Sequence, residues 1–407
     1  MKLTTLQSAI LLSACTSPMA FAGGLDRSGQ SISAFLQPGN YFEAGISVLD
    51  PSVSGQDKNG NAANNMAGDY YFPSAALKVQ ATDHISLGLL YDQPYGADAE
   101  YSGENAFVSG ANVAPLGISG GTEVTVKTQS LSLLMGYQPN ENWNLYAGPV
   151  YQSVNGDVKL RGALFSVLDG YNLETGNDYS WGWLAGVAYQ IPEIALKASL
   201  TYRSEIEHKI DAKEQIDYAR IALKPYVTAG QLNLSTNPVD TFTFSTPQSV
   251  NLDLQTGIMA NTIAFANIRW VNWSNFVVRP FKLGQVSQAT GPLVGKPNGY
   301  NLIDYKDDQI SVNAGVGRKF NDKWAANLSV GWDSGAGNPV TTLGPTEGYW
   351  SVGTGVRYSP AKNYFIGAGI KYFWLGDADA VTGAHTEAGR FSNNHAVGYG
   401  LNIGYSF

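Results

Sequence analysis

The sequence predicts an all-β fold, a 14-stranded antiparallel transmembrane β-barrel with an N-terminal hatch plugging its lumen. Three observations carry this. Only 14% of the 407 residues are charged, with 46 Gly and 23 Tyr, whereas ordinary soluble domains are about 25% charged. Apolar and polar residues alternate with a period of two along fourteen runs, the pattern of a sheet with one face in lipid. The gaps between those runs are alternately tight and long, which is the connectivity of a bacterial outer-membrane barrel. After the first few residues no stretch approaches the roughly 18 apolar residues that a spanning helix needs. The net charge of −8 argues against nucleic acid as a partner, because phosphate neutralisation requires clustered Lys and Arg.

The first element is an export leader, residues 1–22. Lys2 supplies the positive start, Leu3 to Leu12 a short apolar stretch, and Ala20-Phe21-Ala22 the cleavage signal before Gly23. Leu12-Ser13-Ala14-Cys15 resembles a lipobox, which leaves open a lipidated Cys15 in place of that cleavage. On the first reading the mature chain has no cysteine, hence no disulfide, thiol nucleophile or thiolate metal site. Residues 23–40 are the expected hatch. Eight-stranded barrels fill their interior with side chains and those of 16 to 18 strands enclose a channel, so fourteen strands leave a lumen that needs a plug. Leu25, Ile32, Phe35 and Leu36 can anchor an irregular backbone buried at membrane depth.

Residues 41–407 form the predicted barrel. Strands are expected over Tyr41 to Leu49, Pro73 to Ala81, Ile85 to Tyr95, Gly121 to Gln138, Trp143 to Val158, Tyr179 to Ile191 and Ile194 to His208. Seven more follow over Ser245 to Met259, Thr262 to Trp273, Tyr305 to Phe320, Trp324 to Asp333, Glu347 to Tyr358, Tyr364 to Trp374 and Asn394 to Phe407. Turn-forming residues make the tight connections, such as Thr82-Asp83-His84 and Asn321-Asp322-Lys323. The others, such as Lys209 to Phe244 and Ser274 to Asp304, far exceed ordinary hairpin loops of about 2 to 5 residues. An even strand number puts both chain ends on the short-turn, periplasmic side. In the sixth strand Tyr179, Trp181, Trp183, Ala185, Val187 and Tyr189 share one face, and rings near strand ends suit interfacial girdles. A soluble sandwich would explain the same stripes as a core, but would keep a more charged exterior. The last strand ends on Phe407, an aromatic terminus resembling the recognition signal of the barrel-assembly machinery.

Leu200-Thr201-Tyr202-Arg203-Ser204-Glu205, preceded by Gly182-Trp183-Leu184-Ala185-Gly186, resembles a known family. So do Asp50-Pro51 with Val53 and Gly55, Asn272-Trp273-Ser274-Asn275-Phe276, and Asn321-Asp322-Lys323-Trp324. That family is the FadL-type outer-membrane transporters of long-chain fatty acids and other hydrophobic compounds, and the matches span nearly the whole mature chain. The resemblance implies a monomeric barrel in the bacterial outer membrane that takes up a fatty acid or other hydrophobic small molecule passively. It implies a hydrophobic groove among the outer loops, a tighter inner site, and lateral release into outer-membrane lipid through a kinked third strand. No cofactor and no metal are expected, and no phosphate-binding glycine loop is found.

Carried onto this sequence, the kink falls at Pro94, Tyr95 and Gly96, since Pro94 removes a ladder donor. That Pro94 simply ends the strand is the plainer alternative. Arg161, in Val158-Lys159-Leu160-Arg161, is the expected cation for a carboxylate, with a solvated loop-edge arginine as the alternative. The family's second basic residue falls near Asn301, a departure that leaves Lys296 or Lys306 as substitutes. Leu164, Phe165, Leu168, Ile221 and Leu223 are expected to line the groove, together with neighbouring apolar loop residues. Alternation points Lys197, Arg203, Arg269, Arg357 and Lys371 inward, with Glu205 and Asp253 as inward acids for them. A second departure is Gln37-Pro38-Gly39-Asn40 where the family has an Asn-Pro-Ala element. The rival readings are an aromatic-hydrocarbon importer of the same family, a general aqueous porin, and an outer-membrane hydrolase. A hydrolase would have to use one of His84, His208, His385 and His395, none of which sits in a nucleophile or metal motif.

Overall fold

The computed structural model describes residues 24–109, 119–216, 224–230 and 232–407. The expected leader with Cys15, and Ile221 and Leu223 of the expected groove, lie outside the described residues. Strands β1 (Tyr41–Ser52), β2 (Tyr70–Gln80), β3 (Ile85–Asp92, resumed at Gly96–Glu100), β4 (Glu123–Tyr137), β5 (Trp143–Lys159) and β6 (Asp178–Ile191) form the first part of the wall. There follow β7 (Leu196–Arg203, continued by Ile206–Gln215), β8 (Asp240–Thr246, continued by Ser249–Met259) and β9 (Thr262–Val271). The wall ends with β10 (Gln309–Lys319), β11 (Trp324–Asp333), β12 (Tyr349–Ala361), β13 (Tyr364–Leu375) and β14 (His395–Ser406). Each pairs antiparallel with its sequence neighbour, and β1 closes on β14 from Tyr41↔Ser406 to Ser52↔His395. The result is a closed 14-stranded barrel.

Each predicted run overlaps a wall strand, because a one-sided lipid face enforces the period of two. Trp181 and Trp350 are 66% and 62% exposed on the outer face, whereas the alternating Ser329, Asn327 and Asn402 are buried inside. The differences lie where the wall stops being regular. Residues Lys209 to Phe244, expected as a loop, instead carry the upper arms of β7 and β8, which pair from Ile206↔Thr246 to Ala212↔Asp240. Ser204 and Glu205 interrupt β7 between its two pieces. The interruption reverses the parity of the strand, so that Arg203 and Ile206 both face inward and Glu205 is exposed. Glu205 is therefore not the inward acid that simple alternation predicts. Gly182 makes the change possible, because a methyl there would overlap the Ile206 side chain.

The long connections gather at the end of the barrel opposite the chain termini and fold as a cap. Tyr101 stacks on Phe107 at 4.3 Å, and Phe391 packs against both. A helix, α1 (Phe281–Thr290), buries Leu283 and Val286 in the same apolar cluster. No helix among the described residues is long and apolar enough to cross a membrane. Leu133, 56% exposed on β4 and well inside the expected apolar band, tests the lipid face. Leu133→Arg is expected to destabilise the barrel by about 2–4 kcal/mol, read as a lower urea midpoint for unfolding from a bilayer.

Candidate ligand-binding site

Residues 24–40 run through the ring of inward side chains. Arg269 of β9, 1% exposed, donates from Nε to Asp26 Oδ2 at 2.6 Å, from Nη1 to Asn251 at 2.7 Å, and from Nη2 to Gln30 at 3.0 Å. Asn251 in turn donates to the Gly29 carbonyl. Further along, Lys78 and Lys197 donate to the consecutive carbonyls of Gln37 and Leu36 at 2.7 and 2.9 Å. Ile32, Phe35 and Leu36 pack on Leu134, Tyr146, Val150 and Leu184, against β4 to β6. Gly88 and Gly136 leave the space that the Phe35 ring fills. On the other side the segment faces a space of mixed lining, in which Asp253, Asn267, Asn313, Lys371 and Asn402 stand among apolar groups such as Ile32, Leu36 and Phe265.

The same segment meets an interruption of the wall. The β3–β4 ladder runs to Asp92↔Ser130 and resumes at Gly96↔Lys127, so four steps on β3 answer three on β4. Thr128 fills the break, its hydroxyl accepting from the Tyr95 amide at 2.8 Å and donating to the Tyr95 carbonyl at 2.7 Å. Inside the barrel the Arg27 amide donates to the Pro94 carbonyl and the Gly96 amide to the Leu25 carbonyl. On the other flank β2 and β3 pair from Gln80↔Ser86 to Ala75↔Tyr91, and beyond that the regular ladder gives way to hydrogen bonds from Gly68 and Tyr70 to Asp98 and a single bridge at Ala67↔Ala99. Pro94 thus interrupts the strand without ending it.

On the cap side of this junction lies an apolar cavity. Leu25, Tyr95, Val126, Phe242, Trp273 and Phe276 contribute to its lining, and no charged side chain does so among the described residues. Trp273 meets Tyr95 and Phe276 edge-on at 5.5 and 5.2 Å and is held by its indole N–H, which donates to Gln309 at 2.7 Å. Asp308 fixes the turn that carries Trp273. Burial alone would raise its pKa, but hydrogen bonds from Ser274, Asn272 and Trp270 outweigh it and hold the carboxyl below the usual range.

Over residues 26–407 the chain matches the family described as Outer membrane protein transport protein (OMPP1/FadL/TodX). The chain belongs to that family. It is a transport protein of the bacterial outer membrane, in a family of channels and not of enzymes. Among solved structures it is similar to a Pseudomonas aeruginosa FadL homologue, at 15% identity and TM-score 0.69, covering 97% of this chain and 98% of that one. It is also similar to the P. putida toluene transporter TodX, at 14% identity and TM-score 0.62, with 92% and 91% covered. The Ralstonia pickettii toluene transporter TbuX follows at 12% identity and TM-score 0.58, with 97% of each chain covered. At these identities the shared feature is the fold. No curated protein sequence matches the chain.

Within this OMPP1/FadL/TodX member, Arg161 is buried and turned onto its own loop, donating to the Leu160 and Tyr171 carbonyls at 2.9 Å each and to Asn172. Lys306 is exposed and reaches the Asn338 carbonyl, and Lys296 is half-buried beside Gly291. None of the three lines the apolar cavity. Leu164, Phe165 and Leu168 are buried in the cap cluster. Lys371 donates to Asn313, and Arg357 lies over the Phe365 ring at 3.7 Å. Asp253 accepts from Asn267 and Ser199 and forms no ion pair among the described residues.

Sequence reasoning missed the partner of Arg269. The available signal was Asp26, the single acid between residues 23 and 40. It also placed His208 at a strand end, whereas His208 is buried in the upper arm of β7. Its Nδ1 lies 2.8 Å from Asp178 and its Nε2 3.1 Å from the Gln152 amide oxygen, so no hydroxyl nucleophile meets the ring. Removing one member of the buried Asp26–Arg269 pair should be costly. Arg269→Met is expected to lose about 3–5 kcal/mol, most of which returns in the Asp26→Asn/Arg269→Met double variant. Equilibrium unfolding of the four proteins completes the cycle.

Proposed function

We propose that this protein carries hydrophobic small molecules passively across the outer membrane, taking them from the cap side into the apolar cavity and releasing them sideways at the β2–β3 interruption. The observation that carries this reading is the apolar cavity lying directly against the broken strand. Leu25 and Tyr95 belong to both: they line the cavity, and their backbones form the junction between the N-terminal segment and β3. A molecule in the cavity therefore presses on the elements that bound the opening.

Straight passage is disfavoured for such a cargo. Residues 24–40 act as the plug, and a cargo passing them would have to displace water from Lys197, Asp253 and Lys371, whose charges stand in the mixed lining of the space beyond. Sideways release keeps the apolar surface away from those charges. Concave, mostly apolar sites with few fixed polar groups suit hydrophobic ligands. Long-chain fatty acids and aromatic hydrocarbons both meet this requirement through their hydrocarbon parts, and TodX and TbuX are described as toluene transporters. The cavity lining favours the hydrocarbon of either class, and Arg161, committed to loop carbonyls, is not poised to read a carboxylate. The protein acts as a monomer without cofactor, and exposed Phe407 is its signal to the assembly machinery.

Uptake of labelled toluene and labelled oleate into vesicles tests the proposal. Phe242→Asp places a charge in the cavity and is expected to slow both by tenfold or more while the barrel still assembles. Salt-dependent conductance with no uptake of either compound would replace the reading with a porin. Deleting Gln93 evens the count between β3 and β4. The shortened protein is expected to retain ligand binding but lose uptake by tenfold or more, and undiminished uptake would overturn the lateral route.

A further inference from the structure

Beside the wall interruption, on the plug side, is a second chamber of different chemistry. Arg203 of β7 lines it together with Ser28, Gln30, Asp92 and Gln93, and its outer margin is Phe72 and Pro73 of β2. Arg203 is only 8% exposed, yet its guanidinium makes no hydrogen bond among the described residues, and Nη1 is fully buried without a partner. A buried cation left in this way is strongly unfavourable unless something completes it. Asp92 acts on it through space, but no charged group there hydrogen-bonds it. Asp92 is occupied by the Ser28 hydroxyl at 2.6 Å, Glu43 by the Tyr41 hydroxyl, and neither forms an ion pair with Arg203. Arg27 is spent on the Asp26 carbonyl and the face of Tyr70.

The chamber is balanced in charge, with Arg27 and Arg203 against Glu43 and Asp92. An added carboxylate would upset that balance and face two acids. A hydroxyl fits better, since its oxygen accepts from Arg203 while its proton can be given to a carboxylate such as Asp92. The apolar body of such a molecule would lie along Phe72, Pro73 and Leu90 toward the bilayer. We infer that this chamber is a head-group subsite for hydroxyl-bearing hydrophobic molecules, phenols or alcohols, at the exit. The inference rests on reading the interruption as an exit, but the subsite itself can be measured without transport. Its selecting residue is Arg203, the last residue of the first piece of β7, immediately before the interruption at Ser204 and Glu205.

Equilibrium binding of toluene, 4-methylphenol and benzoate to the purified full barrel tests it. Toluene and 4-methylphenol differ by one hydroxyl. The protein is expected to prefer 4-methylphenol, and Arg203→Met to shrink that preference by roughly ten- to a hundredfold, the equivalent of one hydrogen bond to a charged group. Arg203→Lys, which keeps the charge with altered geometry, is expected to give an intermediate ratio and serves if the Met variant does not assemble. An unchanged ratio in either variant overturns the subsite, as does a parallel loss of both ligands, which would mark Arg203 as structural. Benzoate binding more tightly than 4-methylphenol through Arg203 overturns the assignment to hydroxyls. Absence of toluene uptake in vesicles, by contrast, strikes only the transport reading.

Discussion

The interior is organised around the buried pair of Asp26 and Arg269. An isolated charge at either position would be prohibitive inside the wall, and a buried pair gains little net stability over an apolar replacement. What it supplies is position. The planar guanidinium donates at once to Asp26, Gln30, Asn251 and Ser249, so the segment is fixed relative to β8 and β9 in both direction and register. Leu25 and Arg27, the residues on either side of Asp26, are the ones whose backbone pairs with Gly96 and Pro94. One ion pair on the far wall therefore sets where the chain meets β3, and through Leu25 and Tyr95 it sets one side of the apolar cavity.

The wall was legible in the sequence because the constraint on it is local. Every residue in a membrane barrel faces either lipid or lumen, so a run such as Trp324–Asp333 declares itself with its boundaries intact. The site was less legible because it depends on where that rule is suspended. A two-residue interruption at Ser204 and Glu205 exposes an acid that alternation sends inward and turns Ile206 to the interior. The position of Pro94 was readable, whereas the replacement of the lost ladder by Thr128, Leu25 and Arg27 was not, since those partners come from a different strand and from the N-terminal segment.

The cap residues show how the same side chain can be read correctly in character and differently in placement. Apolar side chains in long loops either bind something or pack on one another. Leu164, Phe165 and Leu168 take the second course in this structure, joined to Tyr171, Phe107 and Val158 in one cluster. Arg161 belongs to that packing as well, tying the loop back through the Leu160 and Tyr171 carbonyls. Burial of the Tyr171 ring pushes its hydroxyl pKa well up, with the adjacent Glu214 acting in the same direction, so the hydroxyl stays a donor to that carboxylate at 2.9 Å. The loops are thus a folded layer with its own core, and the apolar cavity is the space that layer leaves against the barrel.

A hole in a membrane wall is costly only if backbone groups are left without partners in hydrocarbon. Here the interruption of β3 avoids most of that cost. The Tyr95 amide and carbonyl are both satisfied by one threonine hydroxyl, the Gly96 amide and Pro94 carbonyl by the N-terminal segment, and proline has no amide to satisfy. Above the break, Tyr70 and Asp98 bond across the gap, with the Asp98 amide donating to the Tyr70 hydroxyl at 2.6 Å. The barrel is held closed by the ladders on all its other seams, so a local break does not open it further. Discontinuity of the wall and integrity of the barrel are compatible because residues 24–40 supply hydrogen bonds that the broken ladder lacks.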